Sequence, residues 1–237
     1  IAVYNWASAA RISGENSTFL SNGRYSDSYN HDYHNSYISN WIKNATLAIT
    51  LADEKAADLV SEHDINFNKN VKAFARIWRV VMISEYTDNF GPYPIEAFQG
   101  SNPAFNSVQE VYYFMLDELK AAVADIVLSE EPTADEAKSD PIFGYNAEKW
   151  AKYGNSLRLR LAMRLSEVDG AKAKSEFEAV DKNMLIKTLD ETAKVKEYNQ
   201  WNAWAGIYSR SWNIISLPSS MSNILAGLGG VFVSAQR

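Results

Sequence analysis

Between Tyr198 and Trp212 the chain interleaves Trp201, Trp204, Tyr208 and Trp212 with Asn, Gln, Ser and Arg side chains. Flat rings can stack on the C–H faces of a sugar while Asn202 or Arg210 bonds its hydroxyls, the pairing of apolar surface and few polar groups that a small-ligand site uses. The ring spacings of three, four and four residues also fit an amphipathic helix that buries all four rings. Gly206 and the polar neighbours weaken that helix. A second set, Tyr25, Tyr29 and Tyr33, continues into Tyr37 and Trp41 at four-residue steps, a drift of about 40° per step on a helix. The first three lie among Ser, Asp and Asn, where ring faces and phenol tips can both be offered to a ligand. Trp201, Trp204, Tyr208, Trp212, Tyr25, Tyr29 and Tyr33 are therefore the candidate ligand-binding residues, with loop packing or core burial as the competing account.

Other constellations carry less chemistry. His31 and His34 sit three apart, close enough on a helix to share a metal, but no third ligand follows; the setting is turn-rich and His63 stands alone, so the reading is a surface loop and no metal site. Asp88-Asn89 lacks the alternating carboxylates of a calcium loop and is read as bonding local backbone amides where a helix ends. Arg160 and Arg164 share a helical face with Arg158 nearby; a clamp for an anion is conceivable, and salt bridges to neighbouring helices are the stronger reading. With 29 acidic residues, a glycosidase pair cannot be picked out by position. No nucleophile elbow, phosphate loop, dinucleotide fingerprint or zinc-protease motif occurs. No catalytic residue, metal or cofactor is assigned.

The elements that must position these residues are helical. Tyr37, Ile38, Trp41, Ile42, Ala45, Ile49 and Ala52 form one stripe, and Phe67, Val71, Phe74, Ala75, Trp78, Val81 and Met82 form another, which together predict an αα-hairpin. Residues 11–36 are turn-rich and predict a loop. Ser107-Val-Gln-Glu110 is a capping box opening a long helix whose buried face runs from Val108 to Ile126. Ser129–Gly144 carries five carboxylates and two prolines and predicts a solvated acidic connection. Asn146 caps a helix through Trp150, Tyr153, Gly154, Leu157, Leu161 and Leu165. Weaker helices are predicted over Ala171–Ala179 and Leu185–Lys196. Between the first two pairs, Asp88-Asn89-Phe90-Gly91-Pro92-Tyr93-Pro94 must stop the helix, because its prolines fix φ and remove amide donors. Its rings need cover, so it predicts an ordered turn packed on the preceding helix.

At 237 residues and 46% hydrophobic content the chain can bury a substantial core. A net charge of −6, with no basic stripe among aromatics, argues against a nucleic-acid surface. The absence of cysteine excludes disulfides and thiolate chemistry. No apolar run approaches the ~20 residues needed to span a bilayer.

Two long segments resemble a known family. A-x-I-W-R-x-x-x-x-S-E-Y-T-D-N-F-G-P-x-P-I, from Ala75 to Ile95, looks like the signature of SusD-like nutrient-binding lipoproteins. Asp140-Pro-Ile-Phe through Trp150, Asn155-Ser-Leu-Arg-Leu-Arg-Leu-Ala-Met-Arg164 and Ser166 is similar to that family's second motif. The resemblance spans Tyr37 to about Leu225. It implies an all-α fold of tetratricopeptide-like stacked helix pairs with long loops, although no tetratricopeptide consensus is visible in the residues. It further implies a non-enzymatic protein on the outer face of the outer membrane, held there by a lipid anchor that this chain does not carry. Its partners would be an oligosaccharide or similar nutrient and a SusC-like TonB-dependent transporter. The family is longer, so residues 1–237 are read as a single SusD-like domain that is a fragment lacking the N-terminal anchor and a C-terminal part. The rival expectations are a glycoside hydrolase and a helical-repeat adaptor for a protein partner.

Overall fold

The computed structural model describes residues 27–99 and 103–195. The chain divides into two compact units, residues 1–33 with 197–237 and residues 34–196, and the helices below belong almost entirely to the second. α1 (Asp27–Asn35) runs through a π-helical stretch (Ser36–Ile42) into α2 (Lys43–Ala56), and Asn35 and Lys43 at the joins both keep right-handed helical dihedrals. The predicted loop over 11–36 is thus corrected from Asp27 onward. Extending an existing helix costs far less than nucleating one, so a polar segment joined to a strong helix is drawn into it.

α3 (Glu62–Phe90) is the longest helix among the described residues, followed by α4 (Val108–Ala124), the short α5 (Ala134–Ala137), α6 (Ala147–Arg164), α7 (Gly170–Ala179) and a 3₁₀ turn at Leu189–Glu191. Among the described residues there is no strand; a bridge pairs Tyr93 with Asn106. Each long helix packs on the next, α2 on α3, α3 on α4, α4 on α6 and α6 on α7. This sequential stacking is the tetratricopeptide-like arrangement of an all-α repeat fold.

The predicted caps form. Ser107 accepts from the Glu110 amide and Glu110 returns a bond to Ser107, while Asn146 Oδ1 accepts from the Lys149 amide at 2.9 Å. Both close orphan donors at a helix start. The stripes meet in a core of Ile42, Ile77, Val80, Ile83, Val111, Met115, Leu116, Leu119 and Leu161, all fully buried. At Gly154 α6 lies too close to its neighbours for a side chain: a Cβ there would stand 2.6 Å from Val123 Cγ2 and 3.0 Å from Ile77 Cδ1.

Charged groups tie the same helices together. Glu118 of α4 accepts from Arg76 at 3.0 and 2.9 Å and from Arg79 at 2.8 Å, both on α3. Burial pushes that carboxyl upward, but the bonds and charge of the two arginines outweigh it and hold it below its usual range. Arg158 of α6 meets Glu176 of α7 at 2.5 Å with both side chains buried. Arg164 pairs with Asp88, and both Arg160 and Arg164 are exposed. The structural reading of these arginines therefore holds for Arg158 and Arg164.

Three local expectations are corrected. Asp88 does not bond local amides; it accepts from Tyr112 Oη at 2.7 Å and from Arg164. Leu185–Lys196 is not a helix over its described residues beyond the 3₁₀ turn. There the Ile186 amide donates to Ser156 Oγ at 2.9 Å, and the Lys187 and Thr188 amides donate to Glu191, so side chains take the bonds a helix would need. The acidic connection is not simply solvated. Thr133 and Glu136 form a capping box at α5, and Asp140 is only 8% exposed.

Candidate ligand-binding site

Of the candidate ligand residues, Trp201, Trp204, Tyr208, Trp212 and Tyr25 lie outside the described residues. Tyr29 falls on the α1 backbone. Tyr33, also on α1, is 7% exposed, and the next four-residue step, Tyr37, is 1% exposed. Tyr37 donates its hydroxyl to Glu85 and meets Trp41 edge-on at 4.7 Å and Tyr86 at 6.3 Å. Tyr33 and Tyr37 are thus core residues rather than rings offered to a ligand. His31 is exposed, and His34 packs on Tyr86 and Phe90 at 5.5 and 5.4 Å. Among the described residues no group of three or more His, Asp or Glu converges on a metal position.

The turn that ends α3 is ordered as predicted. Gly91 adopts φ +85°, a conformation that side chains with a Cβ rarely take. It swings Tyr93 back under the helix, where Tyr86 lies 5.4 Å away, and burial pushes the Tyr93 phenol well above its ordinary value. Tyr93 exchanges backbone bonds with Asn106 at 3.3 and 3.1 Å, and Asn106 Oδ1 accepts from the Ile95 amide at 3.0 Å. The chain therefore re-enters at Ser107 with α4 correctly started.

Where α4 starts, its first two turns and the α6–α7 junction enclose a groove of about 460 Å³. Val108, Leu165 and Val168 line it on the apolar side, and Val108 and Val168 are 42% and 80% exposed. One wall is Tyr112 and Arg164, both held from behind by Asp88. Burial, then the bond to Asp88, pushes the Tyr112 phenol up to about 12, so it stays a donor. The opposite wall is a relay in which Gln109 Nε2 donates to Tyr113 Oη at 3.1 Å and Tyr113 donates to Asp169. That bond from Tyr113, and then one from the Lys172 amide, holds the Asp169 carboxyl below its usual range. The Lys172 ammonium stands 5.4 Å from the Tyr113 ring centroid.

Sequence reasoning missed this groove. Tyr113 sits beside the buried stripe of α4 rather than on it, and an aromatic off the stripe was the signal available. The partner Asp169 lies 56 positions away, and no local pattern announces it.

The residue-level picture agrees with comparisons to known proteins. A family model described as SusD-like, "Susd and RagB outer membrane lipoprotein", matches residues 8–230. A solved SusD homolog from Parabacteroides distasonis is 26% identical, with a TM-score of 0.70, over 89% of this chain and 41% of that one. A SusD homolog from Bacteroides vulgatus is also 26% identical, with a TM-score of 0.61, over 77% of this chain and 37% of that one. A chitin-binding protein is 21% identical, with a TM-score of 0.77, over 96% of this chain and 48% of that one. The chain spans less than half the length of each of these structures. No curated protein matches it.

Proposed function

The chain belongs to the SusD-like family of outer-membrane lipoproteins, and from that membership we propose that the full-length protein is a non-enzymatic cell-surface receptor for an oligosaccharide or similar nutrient. It hands its ligand to a SusC-like TonB-dependent transporter and is held to the membrane by a lipid anchor. No helix among the described residues is long and apolar enough to cross a membrane. The family match over residues 8–230 is the observation that carries this reading. It covers both the stacked helices and the aromatic segment that follows them.

Within that reading the ligand platform is Trp201, Trp204, Tyr208 and Trp212, with Tyr25 and Tyr29 as further contacts. Tyr33 is the weakest of the set, since its burial leaves little ring surface to offer. The chitin-binding relative supports trying chitin fragments, while its 21% identity speaks to the fold alone.

The test is a glycan array on the full-length protein, with product analysis for hydrolysis, followed by single Trp201→Ala, Trp204→Ala, Tyr208→Ala and Trp212→Ala variants. Truncating a buried Trp costs about 3–5 kcal/mol, whereas truncating a platform ring costs little stability and much affinity. The expected result is normal melting and at least tenfold weaker glycan binding in one or more variants. Early melting in all four with normal binding would place these rings in a core and the site elsewhere, and turnover that survives carboxylate-mutant controls would make the protein an enzyme.

A further inference from the structure

We infer that the groove between the start of α4 and the α6–α7 junction is a second binding site, for a neutral sugar. The ligand class rests in part on the receptor function proposed above; the site rests on its own geometry. At about 460 Å³ the groove has room for one or two sugar rings, inside the roughly 300–1,000 Å³ range of small-ligand pockets.

Its charges argue against an ionic ligand. Arg164 is already paired with Asp88, and Asp169 already receives the Tyr113 hydroxyl and the Lys172 amide. Lys172 itself is committed to Glu176 at 2.9 Å. An incoming anion or cation would find no uncompensated field and would have to break one of these pairs to gain one. What remains unspent is directional capacity: the carbonyl and second N–H of the Gln109 amide, the other lone pairs of the Asp169 carboxylate and the outer N–H groups of Arg164. Hydroxyls use such capacity without changing the charge balance.

A wholly apolar occupant fails for the opposite reason. It would desolvate the remaining donors and acceptors of Gln109, Arg164 and Asp169 with nothing to bond them, and an unpaired buried polar group costs more than its bond returns. The exposed Val108 and Val168, beside the partly buried Tyr113, nevertheless offer an apolar strip. A pyranose, apolar on its C–H face and hydroxylated at its rim, matches both halves. The walls are held from behind by Asp88 and by the relay through Tyr113, so little ordering is required on binding.

The experiment titrates full-length protein, labelled at its Val and Leu methyl groups, with maltohexaose, cellohexaose and chitohexaose in turn, and follows the methyl resonances. The Val108, Leu165 and Val168 methyls should shift saturably with at least one sugar, and should still do so in a Trp201→Ala/Trp204→Ala variant. Gln109→Ala should weaken that response about three- to tenfold, the worth of one neutral hydrogen bond. Val168→Glu, at an exposed position, should abolish it while melting stays unchanged. Static groove methyls with all three sugars overturn the groove site, and if array binding through the aromatic segment persists, the receptor function stands without it. Methyl shifts that survive both Gln109→Ala and Val168→Glu unchanged would overturn it equally.

Discussion

After α3 the chain turns on rings and prolines; after α4 it turns on carboxylates. In the first connection Tyr93 is 1% exposed under Tyr86, and Gly91 supplies the reversal. In the second, Asp140 accepts from the amides of Ile142 at 2.9 Å and Tyr145 at 2.8 Å and from the Trp150 indole at 2.8 Å. Asn70 of α3 brackets Val127 with bonds of 3.0 and 2.7 Å, and His63 is clasped between Glu130 at 2.5 Å and Glu136 at 3.2 Å. Order in a connection can thus come from buried area, which is non-directional, or from a few polar groups that must all be satisfied together. The first kind resists pH, and the second answers to it.

Substitutions can break this contrast, the largest effect first. Tyr93→Ala removes a fully buried ring from the first connection and should cost about 3–5 kcal/mol in urea denaturation. That loss should be the same at pH 5.5 and pH 8, since burial keeps the Tyr93 phenol protonated throughout. A loss that varied with pH would undo the distinction between the two connections.

Asp140→Asn keeps one acceptor and turns an N–H₂ toward the donors that Asp140 now serves. The expected cost is about 2–3 kcal/mol, the penalty of leaving one or two of those donors unpaired. The Trp150 indole should report it as well: this ring stacks on Phe74 at 5.1 Å, and loss of its bond should alter near-ultraviolet dichroism before any global unfolding. An Asp140→Asn variant as stable as the parent would mean that the carboxylate is incidental.

His63→Gln should have the smallest effect and the sharpest pH signature. Bonds from Glu130 and Glu136 raise the His63 pKa above its ordinary value of 6.5. For Glu136 burial works upward, but bonds from Thr133 and His63 hold its carboxyl below its ordinary 4.5. A raised histidine stabilises fully below its unfolded value and loses that contribution as pH climbs through the folded one; a depressed carboxylate stabilises above its unfolded value and fails as pH falls. The clasp therefore works best between about pH 4.5 and 6.5, the two ordinary values. Parent and His63→Gln should differ in melting temperature at pH 5.5 and converge at pH 9, and a constant difference across that range would reject the clasp. The other acids of its own helix start, Glu62 and Asp64, are present in both proteins and cancel in the comparison.

The legible parts of this protein are those whose causes lie within a few residues. The stripe from Phe67 to Met82, the box at Ser107 and Glu110 and the cap at Asn146 act through neighbours three or four positions away, so the sequence alone determined the long helices and the turn at Gly91. It also carried the two motifs on which family membership was first read. Where a feature depended on a distant partner, the residues misled. Asp140 reads as one more solvated acid, yet Trp150 and the reversal at Gly144, φ +61°, enclose it. His63 reads as solitary, yet its partners lie 67 and 73 positions on. Asp88 reads as a local cap, yet Tyr112 and Arg164 claim it. Leu185–Lys196 has helical spacing, but Ser156 of α6 and the segment's own Glu191 take the bonds of its first amides. A polar side chain's role is set by which partner reaches it in space, and only the stacked helices decided that.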